Sequence, residues 1–260
     1  MCLVLIAHRA CPGYRLVVAA NRDEYHARPT AAATHWQDQP QILAGRDLES
    51  GGTWLGLSLN GRFATVTNVR SGHPLKRGPR SRGLIVTDFL LGDDDAPRHA
   101  AQLMAQARDY DGFNLLVFDG ERLSWLSNQV AAPRTLEHGV HTLSNAQLDT
   151  AWPKTERLRQ SFTRVMDSHG SNPLPALLDV LRDNVRAADE HLPDTGIGHE
   201  RESWLSSIFI EGPGYGTRCS SVLTISDGGH VSFHERRYDA DANASGDSRF
   251  EFQLPDGRNE

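Results

Sequence analysis

The sequence predicts an α+β chain built from two antiparallel sheets faced by helices. Three observations carry this: hairpin signatures recur from end to end, helical patterns fall in pairs between them, and no regular strand–helix alternation of a parallel sheet runs through the chain. In each hairpin signature, two apolar or alternating runs flank a turn dipeptide. The first joins residues 54–59 to 62–68 through Asn60-Gly61, and the second joins 113–118 to 122–127 through Asp119-Gly120. The third joins 220–226 to 230–236 through Asp227-Gly228-Gly229, and an N-terminal pair, 2–7 and 15–20, is linked by a loop holding Cys11-Pro12-Gly13.

The helical patterns follow from spacing. Leu174, Leu177, Leu178, Leu181 and Val185 share one helical face, which predicts a helix over 174–185. Pro153 suits a first helical turn, and Leu158, Phe162, Val165 and Met166 supply the apolar side of the helix it opens. Residues 83–91 and 96–108 read as two more, separated by Gly92 and by Asp93-Asp94-Asp95, whose carboxylates suit a helix N-terminus. Gly51-Gly52 reads as a tight entry into a strand. Residues 187–202 read as a long surface loop, 239–247 as a polar mobile stretch, and 250–254 as an edge strand. The expected organisation is one domain over 1–255 with a polar tail at 256–260.

Composition narrows the function. A chain of 260 residues that is 38% hydrophobic and 23% charged can bury a sizeable core. Its formal charge of −6 argues against general binding to nucleic acid or to membrane surfaces. Three cysteines do not make a disulfide framework and fit a reducing compartment. The apolar run at 3–7 stops at His8-Arg9, too short for a membrane span or a secretory segment, so a cytoplasmic location is expected. No phosphate-binding loop, His-Glu-x-x-His, zinc-type cysteine cluster or Gly-x-Ser-x-Gly elbow occurs, so metal catalysis is not expected.

Cys2 is the most informative residue. Removal of Met1 would leave a thiol and an α-amine on one residue, and such an amine titrates at about 8, against about 10.4 for a lysine. That pairing can act as its own nucleophile and base. The plainer reading is a small buried hydrophobe at the start of a core strand. Asn21-Arg22-Asp23-Glu24 follows the second apolar run, where Asp23 is the candidate to hold the Cys2 amine, or the four residues form a solvated turn. Asn68 and Asn145 end strand-like runs and are candidate oxyanion donors or turn caps. Arg218 opens a small-residue strand behind Gly214 and Gly216 and is a candidate to bind an anionic group or to support Cys2. Arg70, Lys76, Arg77, Arg80 and Arg82 form a cationic run with no intervening carboxylate, which either draws an anionic substrate group or is a solvated loop.

Together the motifs resemble a known family. Met1-Cys2, Ala20-Asn21-Arg22-Asp23-Glu24, Gly51-Gly52-Thr53-Trp54-Leu55-Gly56, Thr67-Asn68, Gly112-Phe113-Asn114-Leu115, Leu143-Ser144-Asn145-Ala146 and Gly214-Tyr215-Gly216-Thr217-Arg218 occur in the order of the Asn-Arg-Asp-Glu (NRDE) family. That family includes the transport and Golgi organisation protein 2 group. The resemblance implies a four-layer αββα sandwich of N-terminal nucleophile hydrolase type. By similarity to choloylglycine-type amidases it places catalytic roles on Cys2, Asp23, Asn68, Asn145 and Arg218, with Asn21, Arg22, Trp54 and Arg70 as candidate substrate-binding residues. Those amidases carry an arginine three residues before the aspartate; here that position is Ala20, and Arg22 adjoins Asp23.

Two functions are therefore expected to compete. One is an N-terminal cysteine hydrolase acting on an amide or an acyl-CoA-like thioester, with no cofactor for catalysis. The other is a non-catalytic carrier of haem or an acyl lipid, since the family is linked to haem handling and acyl-CoA metabolism. For haem, His8 and the Cys11-Pro12 dipeptide are candidate iron ligands, without diagnostic spacing. The partner in either case is a small molecule; the oligomeric state is not read from the sequence.

Overall fold

The computed structural model describes residues 2–72, 80–169 and 172–255. Met1, Lys76, Arg77 and the tail at 256–260 lie outside the described residues. The four expected hairpins all form. Strands β1 (Cys2–Cys11) and β2 (Tyr14–Tyr25) pair across Pro12-Gly13, where Gly13 takes a φ of 83°. Strands β3 (Thr30–His35), β4 (Ile42–Asp47), β5 (Leu55–Ser58) and β6 (Phe63–Asn68) follow, with the β5–β6 turn at Asn60-Gly61. After helices α1 (Gly83–Leu91) and α2 (Ala96–Gln106) come β7 (Phe113–Phe118), β8 (Leu123–Ser127), β9 (Arg134–Leu136) and β10 (Gly139–Leu143). Helices α3 (Pro153–His169), α4 (Leu174–Val180) and α5 (His199–Trp204) precede β11 (Tyr215–Ser226), β12 (His230–Tyr238) and β13 (Ala244–Gln253).

The strands make two antiparallel sheets. One runs β10-β1-β2-β11-β12-β13 and the other β3-β4-β5-β6-β7-β8-β9. Alternation along each strand sorts the core into three layers. Val4, Ile6, Leu16 and Val18 of the first sheet meet Leu57, Phe63, Leu116 and Phe118 of the second. On the outer face of the first sheet, Leu3, Leu5, Val17 and Val222 pack against Leu158, Phe162, Leu177 and Leu178 of α3 and α4. Beyond the second sheet, Ala64, Val66, Leu115 and Val117 pack against Ile85, Val86, Phe89 and Leu103 of α1 and α2. Helix, sheet, sheet, helix is the four-layer αββα order that the resemblance implied. Asp95 caps α2 by accepting from the Arg98 N–H, as the acidic run suggested.

Four expectations need correction. Asn21, Arg22, Asp23 and Glu24 are not beyond the second strand but inside it, because β2 is central, paired on one side with β1 and on the other with β11. The helix at 174–185 stops at Val180, since carbonyls that would continue it are taken elsewhere: Leu181 O accepts from Asn21 Nδ2 and Asp183 O from the Phe209 N–H. Residues 239–247 are not all loose: β13 begins at Ala244, where Asp247 is held by His234 and Arg236 of β12, the cross-strand pairing that makes a polar edge strand pay. The stretch 187–202 is a loop only in part, because α5 starts at His199. Among the described residues no helix is long and apolar enough to cross a membrane.

The double glycine does more than start a strand. Gly51 takes a φ of 78°, and a Cβ on Gly52 would lie 2.4 Å from the Gly83 carbonyl carbon at the start of α1. The nearest atoms are all Gly83 backbone, so none can rotate away. Gly52→Ala is expected to cost about 1–3 kcal/mol, the usual penalty for forcing atoms into a filled space. Urea unfolding checks this, and a midpoint equal to that of the parent would contradict the close approach.

Candidate functional site

The candidate site lies at one end of the first sheet. Cys2 begins β1, and alternation puts its side chain on the same face as Val4 and Ile6, toward the second sheet. It is 9% exposed and lines a pocket of 510 Å³. Burial pushes the Cys2 thiol up, with the Asp23 carboxylate adding to it, while Arg22 and a hydrogen bond from the Asp23 backbone act the other way. The Ser144 hydroxyl donates to the Cys2 carbonyl at 3.2 Å, tying β1 to the end of β10.

Arg22 stands directly across from Cys2 in the β1–β2 register and lines the same pocket. Its guanidinium stacks over Trp54 at 4.1 Å, donates to Thr30 Oγ1 at 2.8 Å and lies 3.5 Å from Asp47. Trp54 can lie flat there because Gly45 has no Cβ, which would otherwise sit 2.3 Å from the indole. Asp47 also takes Arg28 at 2.6 Å. Burial tends to raise Asp47, but Arg28, the Ser50 N–H and Arg22 outweigh it and hold the carboxyl below its ordinary value.

Asp23 alternates to the opposite face of β2, toward the helices. It is buried, and Thr217 Oγ1 donates to its Oδ1 at 2.7 Å while the Tyr215 hydroxyl donates to its main-chain carbonyl at 2.9 Å. Burial raises Asp23 above 3.8, against the charges of Lys154 and Arg70 and the Thr217 hydrogen bond. Asn68 lines the pocket, and among the described residues its side-chain amide makes no hydrogen bond.

The other candidates sit around the pocket instead of in its wall. Asn145 Nδ2 donates to the Asn68 carbonyl at 2.9 Å, so it braces Asn68. Arg218 is the extra residue of a β-bulge between Thr217 and Cys219, which turns it away from Cys2. Its guanidinium donates to the carbonyls of Tyr25 and Arg28 and fastens the connection from β2 to β3. Arg70 pairs with Glu202 at 2.7 Å, with both side chains 3% exposed, and its backbone N–H donates to Asn145 O. Asn21 is spent on structure, donating to Leu181 O and Ile208 O and accepting from Ser220. His8 packs edge-on to Phe118 and bonds to Glu121 O, and Cys11 lies in the outer core; neither lines the pocket.

Several residues of the site carried no sequence signal. Arg28, in the β2–β3 connection, and Asp47, at the end of β4, belong to no motif, and Lys154, buried at the start of α3, reads as an ordinary helix lysine. Thr217 lay within a noted motif, but only its register opposite Asp23 shows its use. Among the described residues no cluster of His, Cys, Asp or Glu is arranged to hold a metal ion, and all three cysteines are free thiols.

Fold and site define an αββα sandwich that carries Cys2 beside a charged pocket at the end of the central strands. The chain belongs to the Transport and Golgi organisation 2 family, whose sequence profile matches residues 1–240. It is 33% identical over 256 residues to the Transport and Golgi organization protein 2 homolog of Bos taurus, covering 91% of this chain and 92% of that protein. The Homo sapiens homolog is 32% identical over 256 residues, with the same coverage of 91% and 92%. Among solved structures, a mutant conjugated bile acid hydrolase from Clostridium perfringens is similar with a TM-score of 0.49 and 7% identity, covering 97% of this chain and 92% of that one.

Proposed function

We propose that this chain is an N-terminal cysteine hydrolase acting on an amide or thioester that carries an anionic group. One observation carries the reading: Cys2, Arg22, Asp23 and Asn68 line a single pocket that is open to a substrate. Once Met1 is removed, the Cys2 amine takes the thiol proton and the sulfur attacks the carbonyl carbon. The Asn68 amide is free to donate to the oxyanion. The C–N or C–S bond then breaks, the leaving group takes the proton from the Cys2 ammonium, and water hydrolyses the remaining thioester to the acid and the free thiol.

The anionic group is proposed for two particular arginines, since the wall as a whole carries five acidic side chains, Asp23, Glu24, Asp47, Glu49 and Asp111, against four arginines. Arg22 and Arg28 share Asp47, and Arg28 also meets Glu49, but among the described residues neither Arg80 nor Arg82, both in the pocket wall, forms an ion pair. Arg82 donates to Gly112 O at 3.1 Å. Haem fits these residues poorly. Among the described residues of the lining, Cys2 alone has a side chain that commonly ligates haem iron, and the walls are charged where a porphyrin face needs apolar contact. An acyl-lipid carrier meets the same objection.

Peptide mapping after incubation of the methionine-processed protein with an acyl-CoA tests the reading. The expected result is an acyl adduct on Cys2 that turns over to free acid; adducts confined to Cys11 or Cys219 would sink it. Arg82→Ala is expected to raise KM for the phosphate-bearing thioester by about tenfold, the worth of one hydrogen bond to a charged group. A short uncharged thioester should keep its KM in the same variant.

A further inference from the structure

A second, smaller cavity lies between the two sheets beside the Cys2 pocket. Its volume is 90 Å³, and Arg22 and Trp54 line both spaces, so their stack is the partition. Strand register builds it. Arg22 of β2 stands opposite Cys2 of β1 on one side and opposite Cys219 of β11 on the other, and Cys219 stands opposite Arg237 of β12. Residues paired in this way share one face of the sheet, so Arg22, Cys219 and Arg237 all point toward the second sheet, where Thr30 and Ala31 of β3 close the cavity. Arg218, the extra residue of the β11 bulge, reaches the same space.

Charge in this lining is one-sided: three guanidinium groups face a single carboxylate, Glu235. Glu235 Oε1 accepts from the Ala33 N–H at 2.9 Å and lies 3.6 Å from Arg237 Nη1. Burial pushes its carboxyl up, which weakens its opposition to a second anion. Arg22 has to share Asp47, which lies 3.5 Å from it and 2.6 Å from Arg28. Arg218 forms no ion pair among the described residues; its Nη1 serves the carbonyls of Tyr25 and Arg28. Arg237 donates from Nη1 to Ser248 Oγ at 2.8 Å. Among the described residues, Nε and Nη2 of both Arg218 and Arg237 meet no acceptor. The Arg237 side chain is nevertheless seated, because a Cβ on its cross-strand partner Gly246 would lie 2.4 Å from Nη2. Glycine makes the room that the guanidinium occupies.

We infer that this cavity is a binding site for a small oxyanion, a phosphate or a carboxylate group, held by the guanidinium groups of Arg218 and Arg237 and bordered by Arg22. Guanidinium forks match the oxygens of such groups and supply charge-assisted hydrogen bonds. Size sets the limit: 90 Å³ is the liquid volume of about three waters at about 30 Å³ each, which excludes a nucleotide or an acyl chain. Ser245, exposed on β13, is the part of the lining that solvent reaches. The site goes beyond the hydrolase reading, since its ligand is separated from Cys2 by Arg22.

Isothermal titration with inorganic phosphate at constant ionic strength tests it, with Arg82→Ala included because the neighbouring pocket has its own arginines. The expected result is saturable binding that survives Arg82→Ala and weakens about tenfold in Arg237→Met, the scale of one hydrogen bond to a charged group. Gly246→Ala keeps every donor in the chain but pushes the Arg237 guanidinium aside, so it is expected to weaken binding about threefold or more and serves where Arg237→Met fails to fold. Acetate separates the two sources of the anion: competition with phosphate assigns a carboxylate ligand, and failure to compete assigns a phosphate. No saturable binding by the parent, or binding that is lost in Arg82→Ala and unmoved by Arg237→Met and Gly246→Ala, overturns the inference. Acylation of Cys2 is read separately, so the hydrolase reading stands or falls on its own test.

Discussion

Cys2→Ala is expected to abolish turnover and acyl labelling, and Asp23→Asn to lower the rate of Cys2 acylation by about 10²–10⁴, the range for losing a positioned acid–base group. Both variants are expected to fold. Alanine removes one sulfur from a residue at the end of a strand, and asparagine keeps the Asp23 shape and can still accept the Thr217 hydroxyl at Oδ1. What Asp23→Asn loses is negative charge, and with it the group that holds a freed amine in place. The pH dependence has a definite sign. Burial raises Asp23, so the acid limb of the rate profile lies above the ordinary carboxyl value of 3.8, and activity is lost as pH falls through that raised value. Stopped-flow acylation across pH, with the acid limb absent in Asp23→Asn, is the check. A parent and a variant with equal rates would leave Asp23 without the role given to it.

The second large effect is on stability. Glu202→Met is expected to destabilise the fold by about 3–5 kcal/mol, because it leaves the Arg70 guanidinium buried without its partner. Glu202 Oε1 also accepts from the Thr195 N–H at 2.8 Å, so the same change releases the loop ahead of α5. Replacing both partners, Arg70→Met with Glu202→Met, is expected to recover at least about half of that loss, since an apolar pair has no charge to desolvate. Urea unfolding of the two single variants and the double variant decides it; single variants within about 0.5 kcal/mol of the parent would show that the pair carries no stability. Arg70 N also holds Asn145, which braces Asn68, so the single variants should disturb the pocket before they unfold the chain.

These effects come from residues of very different visibility in the sequence. Cys2, Asp23 and Asn68 were legible as candidates, and the structure brings them to one pocket with Arg22 and Trp54. Arg218 was equally conspicuous, yet a bulge of a single residue carries it to the β2–β3 connection. Arg70 stood in a cationic run that suggested solvent or substrate, and it is instead among the most deeply buried charges of the molecule. Lys154 and Glu202 gave no signal, because a lysine or glutamate on a helix is ordinarily solvated. The strands β3 and β4 were also missed: Thr30–His35 is rich in alanine, and Ile42–Asp47 ends in glycine and charge, so neither shows the alternation of a half-buried strand.

The sequence alone determined the two antiparallel sheets faced by helices, the hairpin turns, the paired helices and the cysteine at position 2, and the family resemblance added the αββα order, because these depend on local periodicity, on turn residues and on motif order. Only the tertiary structure decided which polar residues share a cavity and which are spent on holding it. That choice depends on strand register, on which face a residue takes in a central strand, and on whether burial leaves a charge one partner or several. Cys2 meets Arg22 because β1 and β2 pair in that register, and Asp23 meets Thr217 because it is one residue further on, facing the other way.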